Sequence, residues 1–340
     1  MKVIGYKKSH PITHPDALVE FDLPEPTPLG QDILVEVRAI SVNPVDTKIR
    51  INVAPPEGEI KVLGWDAAGV VRAVGEHVTL FKPGDRVMYA GSLLRPGTNS
   101  ELHLVDERLV GRVPASLDFD AAAALPLTTI TAWEMLFDRL QIKQGKQDQQ
   151  VSQQVLMIVG AAGGVGSIMI QLARQLTDVT IVATASRPQT QAWVKQLGAH
   201  HVIDHNQPLS AELQKIGIAQ VDFVASLTHT QAHLTEIVAC LKPQGKLGLI
   251  DDPESLDVMV LKPKSISLHW EFMYTRSMFD TPDMIEQHHL LNKVADLIDA
   301  GVVQSTVTER FGTINAENLR RAHALLESGT SLGKIVLAGF

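Results

Sequence analysis

The sequence predicts an α/β protein with two domains, a β-rich region followed by a parallel, doubly wound sheet. The first observation is a change of rhythm. Short apolar runs between Pro, Gly and Asp turns give way, from Val155 onward, to alternating strand and helix patterns. The second is length, since 340 residues exceed one ordinary domain. The third is Val155–Leu176, which joins an uninterrupted apolar strand to a glycine-rich turn and an amphipathic helix.

The N-terminal region is predicted to form an antiparallel sheet or a partly open barrel. Short apolar stretches carry this expectation, and turns such as that at Lys82–Asp85 separate them. The predicted strands are Ile33–Ile40, Gly69–Val74, Arg86–Tyr89 and Leu102–Val105.

The second region is predicted to hold strands with crossover helices, the pattern of a dinucleotide-binding sheet. The strands are predicted at Val155–Val159, Val179–Ala185, His201–Asp204, Val221–Ser226, Lys246–Ile250 and Ser265–Phe272. The helices are predicted at Gly166–Leu176, Gln189–Leu197, Ser210–Ile216, His229–Leu241, Asp283–Ala300 and Asn315–Glu327, before a last strand at Lys334–Ala338. His288 and His289 are expected to be exposed, and Lys143–Gln154 to be a surface connection.

The glycine-rich turn predicts a phosphate site. Gly163 lets the backbone approach a pyrophosphate, and Gly166 lets the helix pack close to the strand. The helix N-terminus adds free N–H groups and the positive end of the helix dipole. The first glycine of the usual G-x-G-x-x-G pattern is Ala161 here, so the flanking strand and helix carry the prediction. The alternative is a tight turn of the kind found in any α/β protein.

The strand after this turn indicates which cofactor binds. An NAD site carries Asp or Glu about 20 residues past the glycine turn, where it binds the ribose 2′-hydroxyl. Here Ala183–Arg187 holds no carboxylate, and Ser186 and Arg187 stand where a 2′-phosphate would sit. A guanidinium binds phosphate through two hydrogen bonds, whereas a carboxylate would repel it. We therefore predict NADPH, with a solvated Arg187 as the alternative.

Composition excludes several classes of protein. The net charge is −8, and Lys and Arg are scattered, so no nucleic-acid partner is expected. No apolar run reaches the length of a membrane span, and the N-terminus lacks the apolar core of a signal peptide. The single cysteine, Cys240, cannot form an intrachain disulfide and is expected to be an inert core thiol. These features predict a cytoplasmic protein.

Segments spread along the chain resemble the medium-chain dehydrogenase/reductase superfamily, in particular its zinc-free quinone oxidoreductase (zeta-crystallin-like) branch. They are Asn43–Asp46, Val62–Val71, Phe81–Val87, Pro126–Trp133, Ala161–Gly166 and Gly333–Leu337. The resemblance implies a Rossmann NADPH-binding domain, residues 127–276, inserted in a GroES-like, mostly antiparallel β-barrel catalytic domain, residues 1–126 and 277–340. It also implies a homodimer in which Ser265–Phe272 supplies an edge.

Alcohol dehydrogenases of this superfamily use a catalytic zinc, and the resemblance locates two of its ligands. Asn43 stands where they carry a cysteine, and Trp65 where they carry the histidine of a Gly-His-Glu segment. A catalytic zinc needs three protein ligands, normally His, Cys or carboxylate. The sequence therefore predicts a site without zinc.

A site without zinc cannot easily stabilise an alkoxide, so alcohol oxidation is disfavoured. Quinones and α,β-unsaturated carbonyls accept hydride directly and delocalise the charge onto an oxygen, which hydrogen-bond donors stabilise. The expected reaction is NADPH-dependent, zinc-independent reduction of a quinone or enone by direct hydride transfer.

The resemblance also implies roles for particular residues. Asn43 should donate its amide beside the nicotinamide and acceptor, unless it is only a turn residue. Thr128 and Thr131 should face the nicotinamide carboxamide, with helix capping as the alternative. Tyr89 is the nearest alternative hydroxyl, because the segment after Asn43 lacks the tyrosine that this branch often carries there. Lys48 and Arg50 either meet an anionic acceptor or are solvated.

The remaining predicted site residues form two sets, and core packing is the alternative for the second. Cofactor contacts are expected at Asn43, Thr128, Gly163, Gly164, Val165, Gly166, Ser186, Arg187, His205, Ser226, Thr228, Ile250, Asp251 and Lys334. Walls of an apolar substrate pocket are expected at Trp65, Trp270, Met273 and Phe279.

Other functions stay open at this point. One is an NADPH-binding redox sensor or accessory protein with little turnover, since a fold does not guarantee activity. Another is a zinc-dependent alcohol dehydrogenase. A crystallin-like or RNA-binding role is disfavoured by the acidic balance.

Overall fold

The computed structural model describes residues 1–145 and 154–340, so most of the predicted connection Lys143–Gln154 lies outside the described residues. The strands are β1 (Lys2–Tyr6), β2 (Val19–Asp22), β3 (Asp32–Val42), β4 (Lys61–Val62), β5 (Asp66–Val74), β6 (Arg86–Tyr89), β7 (Leu102–Asp106), β8 (Val110–Arg112), β9 (Val155–Val159), β10 (Thr180–Thr184), β11 (His201–Ile203), β12 (Val221–Ser226), β13 (Leu241–Leu249), β14 (Ser267–Trp270), β15 (Val307–Arg310) and β16 (Lys334–Ala338). The helices are α1 (Pro44–Asn52), α2 (Phe119–Ala123), α3 (Pro126–Trp133), α4 (Gly164–Leu176), α5 (Pro188–Gln196), α6 (Leu209–Lys215), α7 (Thr230–Cys240), α8 (Thr275–Phe279), α9 (Glu286–Asp299) and α10 (Ala316–Glu327).

The chain divides into two compact units. Unit 1 comprises Met1–Ile130 and Tyr274–Phe340, and unit 2 comprises Thr131–Met273. Unit 2 is therefore an insertion in the sequence of unit 1. The boundaries that the family resemblance implies, after residues 126 and 276, lie four and three residues away from these.

Unit 1 is a mostly antiparallel β structure. Its larger sheet has the order β15-β16-β3-β5-β6-β8, and β7 also pairs with β3. All its pairings are antiparallel except that of β15 with β16. A smaller sheet has the order β2-β1-β4. The long central strand β3 pairs with β5, β7 and β16, and its register with β5 shifts twice. Such bulges let a strand bend around a core.

Unit 2 is a parallel, doubly wound sheet with the order β11-β10-β9-β12-β13-β14. The predicted α/β class is confirmed. β9 is buried at every residue, as expected for a strand covered on both faces. α5 begins at Pro188, one residue before the predicted start, because proline suits the first turn of a helix. β14 is shorter than predicted and lies at the sheet edge.

Three side chains test the sequence predictions directly. Cys240 is buried, and burial raises the pKa of its thiol to about 12, as expected for an inert core thiol. Of the two histidines that were expected to be exposed, His289 is exposed but His288 is half-buried. α9 packs against β8, and the ring of His288 lies 2.7 Å from the carbonyl oxygen of Val110. The two alternatives for Arg50 were wrong, because its guanidinium is fully buried and pairs with Glu327.

Within the described residues, no helix combines the length and apolar character that crossing a membrane requires.

Candidate functional site

A sharp backbone corner at Gly64 organises the polar interior of unit 1. Gly64 has φ +94°, and a Cβ there would lie 2.3 Å from the side-chain oxygen of Asn99. Only glycine fits this conformation and this space. The corner directs Trp65 and Asp66 into the interior, where both side chains are fully buried.

Asp66 gathers three donors from distant parts of the chain. Its Oδ2 accepts from Asn43 Nδ2 at 2.8 Å and from Lys334 Nζ at 2.9 Å. Its Oδ1 accepts from the backbone N–H of Leu127 at 2.8 Å. Lys334 also donates to Asn43 Oδ1 and to the carbonyl of Val42. We call Asn43, Asp66 and Lys334 the buried triad.

Burying the two charges of the buried triad costs free energy. Lys334 and Asp66 are only 3% and 0% exposed at the side chain, so neither charge is solvated. Removing ions from water costs several kcal/mol each, and only close pairing with further hydrogen bonds offsets it. The amide of Asn43 supplies such bonds to both charges, which fixes its Oδ1 towards Lys334 and its Nδ2 towards Asp66. Asn43 is therefore held in one orientation.

A second carboxyl group, that of Asp46, borders the buried triad. Its Oδ2 accepts the backbone N–H of Asn43 at 2.6 Å, at the N-terminus of α1. Burial raises the pKa of Asp46 to about 7, and Asp66 raises it further, against the lowering effects of the Asn43 and Gly64 N–H groups and of Lys334. Asp46 therefore exchanges a proton near neutral pH.

Trp65 connects this region to the start of the C-terminal part of unit 1. Its indole N–H donates to the carbonyl of Ser92 at 3.0 Å. Its ring meets that of Tyr274 edge-to-face, with centroids 6.4 Å apart. Burial raises the pKa of Tyr274 well above its ordinary value, and the carboxylates of Asp46 and Asp66 raise it further. Tyr274 therefore keeps its proton at neutral pH.

The residues at the family's zinc positions do not fit zinc. The amide of Asn43 is engaged on both its atoms, and the Trp65 indole nitrogen is a hydrogen-bond donor with no lone pair to offer. Within residues 1–145 and 154–340, no three His, Cys, Asp or Glu side chains are grouped to hold a metal ion.

In unit 2, the glycine-rich turn follows β9. The tight turn is made by Gly160, at φ +78°, one position before Ala161. A Cβ on Gly166 would lie 2.4 Å from the carbonyl oxygen of Ala161, so α4 packs closely against the turn that follows β9. A Cβ on Gly163 would meet only the Gly160 carbonyl oxygen, at 3.7 Å. The turn is thus open where a pyrophosphate would approach the N-terminus of α4, which Gly164 and Val165 begin.

The ends of β10 and β11 carry the predicted 2′-phosphate residues. Arg187 is exposed and precedes α5, while Ser186 is half-buried. Burial lowers the pKa of the nearby His205, and Arg187 lowers it further although Asp204 raises it. The guanidinium therefore lies close enough to this histidine for their charges to interact.

The end of β12 is a hydrogen-bonded turn. Ser226 is fully buried, and its hydroxyl lies 2.7 Å from that of Thr230. The Asp251 carboxylate accepts the N–H of Thr230 at 2.8 Å, and the N–H of Ile250 donates to the carbonyl of Ser226. Thr228 lies beside the turn, 2.7 Å from the ring of His229. These side chains shape the turn, and contact with a cofactor stays a prediction for them.

The remaining predicted residues are dispersed. Thr128 and Thr131 lie on α3, and the Thr128 hydroxyl donates to the carbonyl of Leu125 at 3.2 Å. In unit 2, Met273 is buried and Trp270 is 53% exposed. In unit 1, Phe279 is 73% exposed.

Tyr89 lies inside the barrel of unit 1. Its hydroxyl is 3.2 Å from His103 Nδ1, and the two rings stack. Burial lowers the pKa of His103 to about 4, so the ring is neutral and its Nε2–H donates to the carbonyl of Pro96. Tyr89 therefore donates to His103, which argues for a structural role.

Comparison with known proteins places the chain in a family. The family model described as "Alcohol dehydrogenase GroES-like domain" matches residues 30–115, and the one described as "Zinc-binding dehydrogenase" matches residues 197–337. A zinc-type alcohol dehydrogenase-like protein of Staphylococcus aureus is 39% identical over 99% of both chains. A quinone oxidoreductase of Pseudomonas aeruginosa is 30% identical over 95% of this chain and 96% of its own. This chain belongs to the medium-chain dehydrogenase/reductase superfamily.

Solved structures of this superfamily share the fold along the whole chain. A Rhizobium etli protein, named as a candidate zinc-dependent alcohol dehydrogenase, is 57% identical with a TM-score of 0.95 over 100% of this chain and 98% of its own. The Escherichia coli quinone oxidoreductase, solved with NADPH, is 26% identical with a TM-score of 0.82 over 99% and 100%. An oxidoreductase of the medium-chain dehydrogenase/reductase type is therefore established.

Sequence reasoning named Asn43 and Lys334 but missed their convergence on Asp66, and it missed Tyr274 altogether. For Asp66 and Lys334, the sequence did contain an indication that they pair. Lys334 begins an otherwise apolar strand, and Asp66 begins a strand whose next five residues are uncharged. A buried charge in such a strand requires a partner of opposite sign.

Proposed function

We propose that this chain reduces a quinone or an α,β-unsaturated carbonyl with NADPH, by direct hydride transfer and without zinc. The observation that carries the proposal is the buried triad. An amide held between an ammonium and a carboxylate occupies the position where the zinc-dependent relatives place a ligand.

The choice of NADPH is supported by the end of β10. The segment from Ala183 to Arg187 contains no carboxylate to bind a ribose 2′-hydroxyl, and Arg187 is exposed there. When bound, NADPH supplies a hydride. The open turn at Gly163 would hold its pyrophosphate, and Arg187 its 2′-phosphate.

Zinc independence is supported by the chemistry of the side chains rather than by the names of relatives. Several relatives are named zinc-type alcohol dehydrogenase-like, and zinc-dependent alcohol oxidation is the rival function. A zinc ion would have to displace the hydrogen bonds of Asn43 and Trp65 and still lack a thiolate or imidazole at both positions.

The acceptor class is supported by the poor fit of Asn43 and Trp65 to zinc, the Lewis acid that alcohol oxidation would require. A quinone or enone needs only hydrogen-bond donors to stabilise the oxyanion that forms after hydride transfer. The quinone oxidoreductase relatives point the same way.

A homodimer and a cytoplasmic location complete the proposal. β14 is an edge strand whose Trp270 is exposed, and an edge with an exposed aromatic is suited to pairing with a second copy. A chain with one cysteine forms no intrachain disulfide, so it does not need an oxidising compartment in order to fold.

The proposal is tested by following NADPH and NADH consumption with a panel of 1,4-quinones and 2-alkenals. We expect turnover that prefers NADPH, and the better acceptor class identifies the substrate. Tight NADPH binding without turnover on the whole panel would contradict the proposed activity and favour a sensor role.

A further inference from the structure

The side-chain carboxyl of Asp46 can bind a proton, and hydride transfer as proposed above gives it no role. Its side chain is buried, and its Oδ1 has no hydrogen-bond partner among the residues that the structure describes. Its Oδ2 caps the start of α1 by accepting a hydrogen bond from the N–H of Asn43, and this one bond is enough for capping. A carboxyl that served only as a helix cap would gain nothing from burial of the second oxygen, because that burial costs free energy.

The charges around Asp46 favour a proton on that group. Lys334 of β16 is already neutralised by Asp66 of β5, so one buried cation faces two buried carboxyl groups. A proton on Asp46 leaves one buried positive charge and one buried negative charge, so the net charge of the cluster is zero. The facing groups are Asp66, Lys334 and Tyr274, together with the N–H dipoles of Asn43 and Gly64.

Tyr274 lies at the same backbone corner, Gly64–Asp66. Gly64 borders the Asp46 carboxyl, and the adjacent Trp65 contacts the ring of Tyr274. The charges of Asp46 and Asp66 both act on the Tyr274 phenol. A carboxylic acid and a phenol therefore share one corner of the backbone.

We propose that Tyr274 and Asp46 deliver the proton that the reduction consumes, with Tyr274 as the acid and Asp46 as the group that resupplies it. This rests on the proposed function. Bound NADPH would supply the hydride for the acceptor carbon and leave as NADP⁺, and the electron pair displaced from the C=C or C=O bond would move to the acceptor oxygen. That oxygen takes the proton of the Tyr274 hydroxyl, the phenolate takes the proton of Asp46, and solvent reprotonates Asp46.

Other polar groups of unit 1 are less suited to this task. Tyr89 donates to His103 inside the barrel. The ammonium of Lys334 is fixed by Asp66 and Asn43, and losing its proton would leave Asp66 as an unpaired buried charge.

The test compares Tyr274→Phe and Asp46→Asn with the wild type. Tyr6→Phe is the matched control, because Tyr6 is equally buried and its hydroxyl donates only to backbone carbonyls. We expect Tyr274→Phe to lower kcat about 10²-fold or more, the usual contribution of a general acid, with NADPH affinity unchanged. Wild-type kcat should fall as pH rises through about 7, whereas Asp46→Asn should give a low and flat profile. Wild-type kcat and pH profile in either variant would overturn the proposal.

Infrared difference spectroscopy of the protein without cofactor gives a second readout. A protonated carboxyl band that disappears as pH rises through about 7 is expected in the wild type and not in Asp46→Asn. Its absence from the wild type would overturn the proposal even if Tyr274→Phe does not fold. No NADPH consumption with any acceptor would instead overturn the proposed function, and the infrared band would still decide whether Asp46 holds a proton.

Discussion

Lys334 Nζ lies 2.9 Å from Asp66 Oδ2, although the two residues are 268 positions apart and both are almost fully buried. The contact ties the closing strand β16 to β5 across β3, which separates them in the sheet. It also sets the amide of Asn43, which bonds to both charges. One ion pair thus supports the fold of unit 1 and orients the residue predicted to face the acceptor.

Replacing Lys334 by Met should therefore be costly. The substitution leaves the Asp66 carboxylate buried without its cation, which is expected to lower the free energy of unfolding by about 3–5 kcal/mol. Lys82→Met is the matched control, because Lys82 forms an ion pair of the same length, 2.9 Å, with Asp85 on the surface. That exposed pair should contribute at most about 1 kcal/mol. Urea unfolding of both variants checks this, and equal losses would contradict it.

The stability of the fold should depend on pH through Asp46. Its pKa is about 7 in the folded protein and about 3.9 in an unfolded chain, so the folded state binds more protons between these values. The contribution of Asp46 to the free energy of unfolding is therefore fully present below pH ~4 and is lost as pH rises through about 7. The free energy of unfolding of the wild type, minus that of Asp46→Asn, should fall over this range. A pH-independent difference in urea unfolding would contradict the assignment.

Two glycines of the phosphate turn should respond differently to the same substitution. Gly166→Ala places a Cβ 2.4 Å from the Ala161 carbonyl oxygen and should destabilise unit 2 by about 1–3 kcal/mol. Gly163→Ala meets no such obstacle and has φ −73°, so it should fold normally while losing NADPH affinity. Thermal unfolding with fluorescence titration of NADPH separates the two effects. Normal NADPH binding by Gly163→Ala would mean that the pyrophosphate lies elsewhere.

Arg187 should determine the preference between cofactors. Arg187→Ala should weaken NADPH binding about 10–100-fold, as expected for losing hydrogen bonds to a charged group of about 1.5–3 kcal/mol, and leave NADH binding unchanged. Arg174→Ala is the control, since Arg174 is also exposed but lies in the last turn of α4, away from the phosphate turn. Equal losses for NADPH and NADH would show that Arg187 does not read the 2′-phosphate.

The parts of the fold that could be predicted from sequence are those set by local patterns. The run Val155–Leu176 specifies strand, turn and helix from residues that are neighbours along the chain, and β9 and Gly166 behave as expected. The ion pair of Arg50, in contrast, depends on residues that are far apart along the chain. Nothing near Arg50 in sequence indicates that Glu327, on a helix at the other end of the chain, will bury its charge.

The candidate site of unit 1 was only partly predictable for the same reason. Asn43, Asp66 and Lys334 come from three separated segments and converge only because β3 pairs with both β5 and β16. Tyr274 offers no motif at all, and only the folded chain brings its ring against Trp65.

Whether this oxidoreductase works without zinc can be decided by one experiment on purified enzyme. NADPH consumption with the best quinone or enone is followed before chelation, after exhaustive chelator treatment and after zinc is added back, with metal content determined at each stage. We expect the same turnover in all three samples and no dependence on bound zinc. Loss of turnover on chelation with recovery on zinc addition would contradict it, and would mean that the side chains of Asn43 and Trp65 do not exclude the metal.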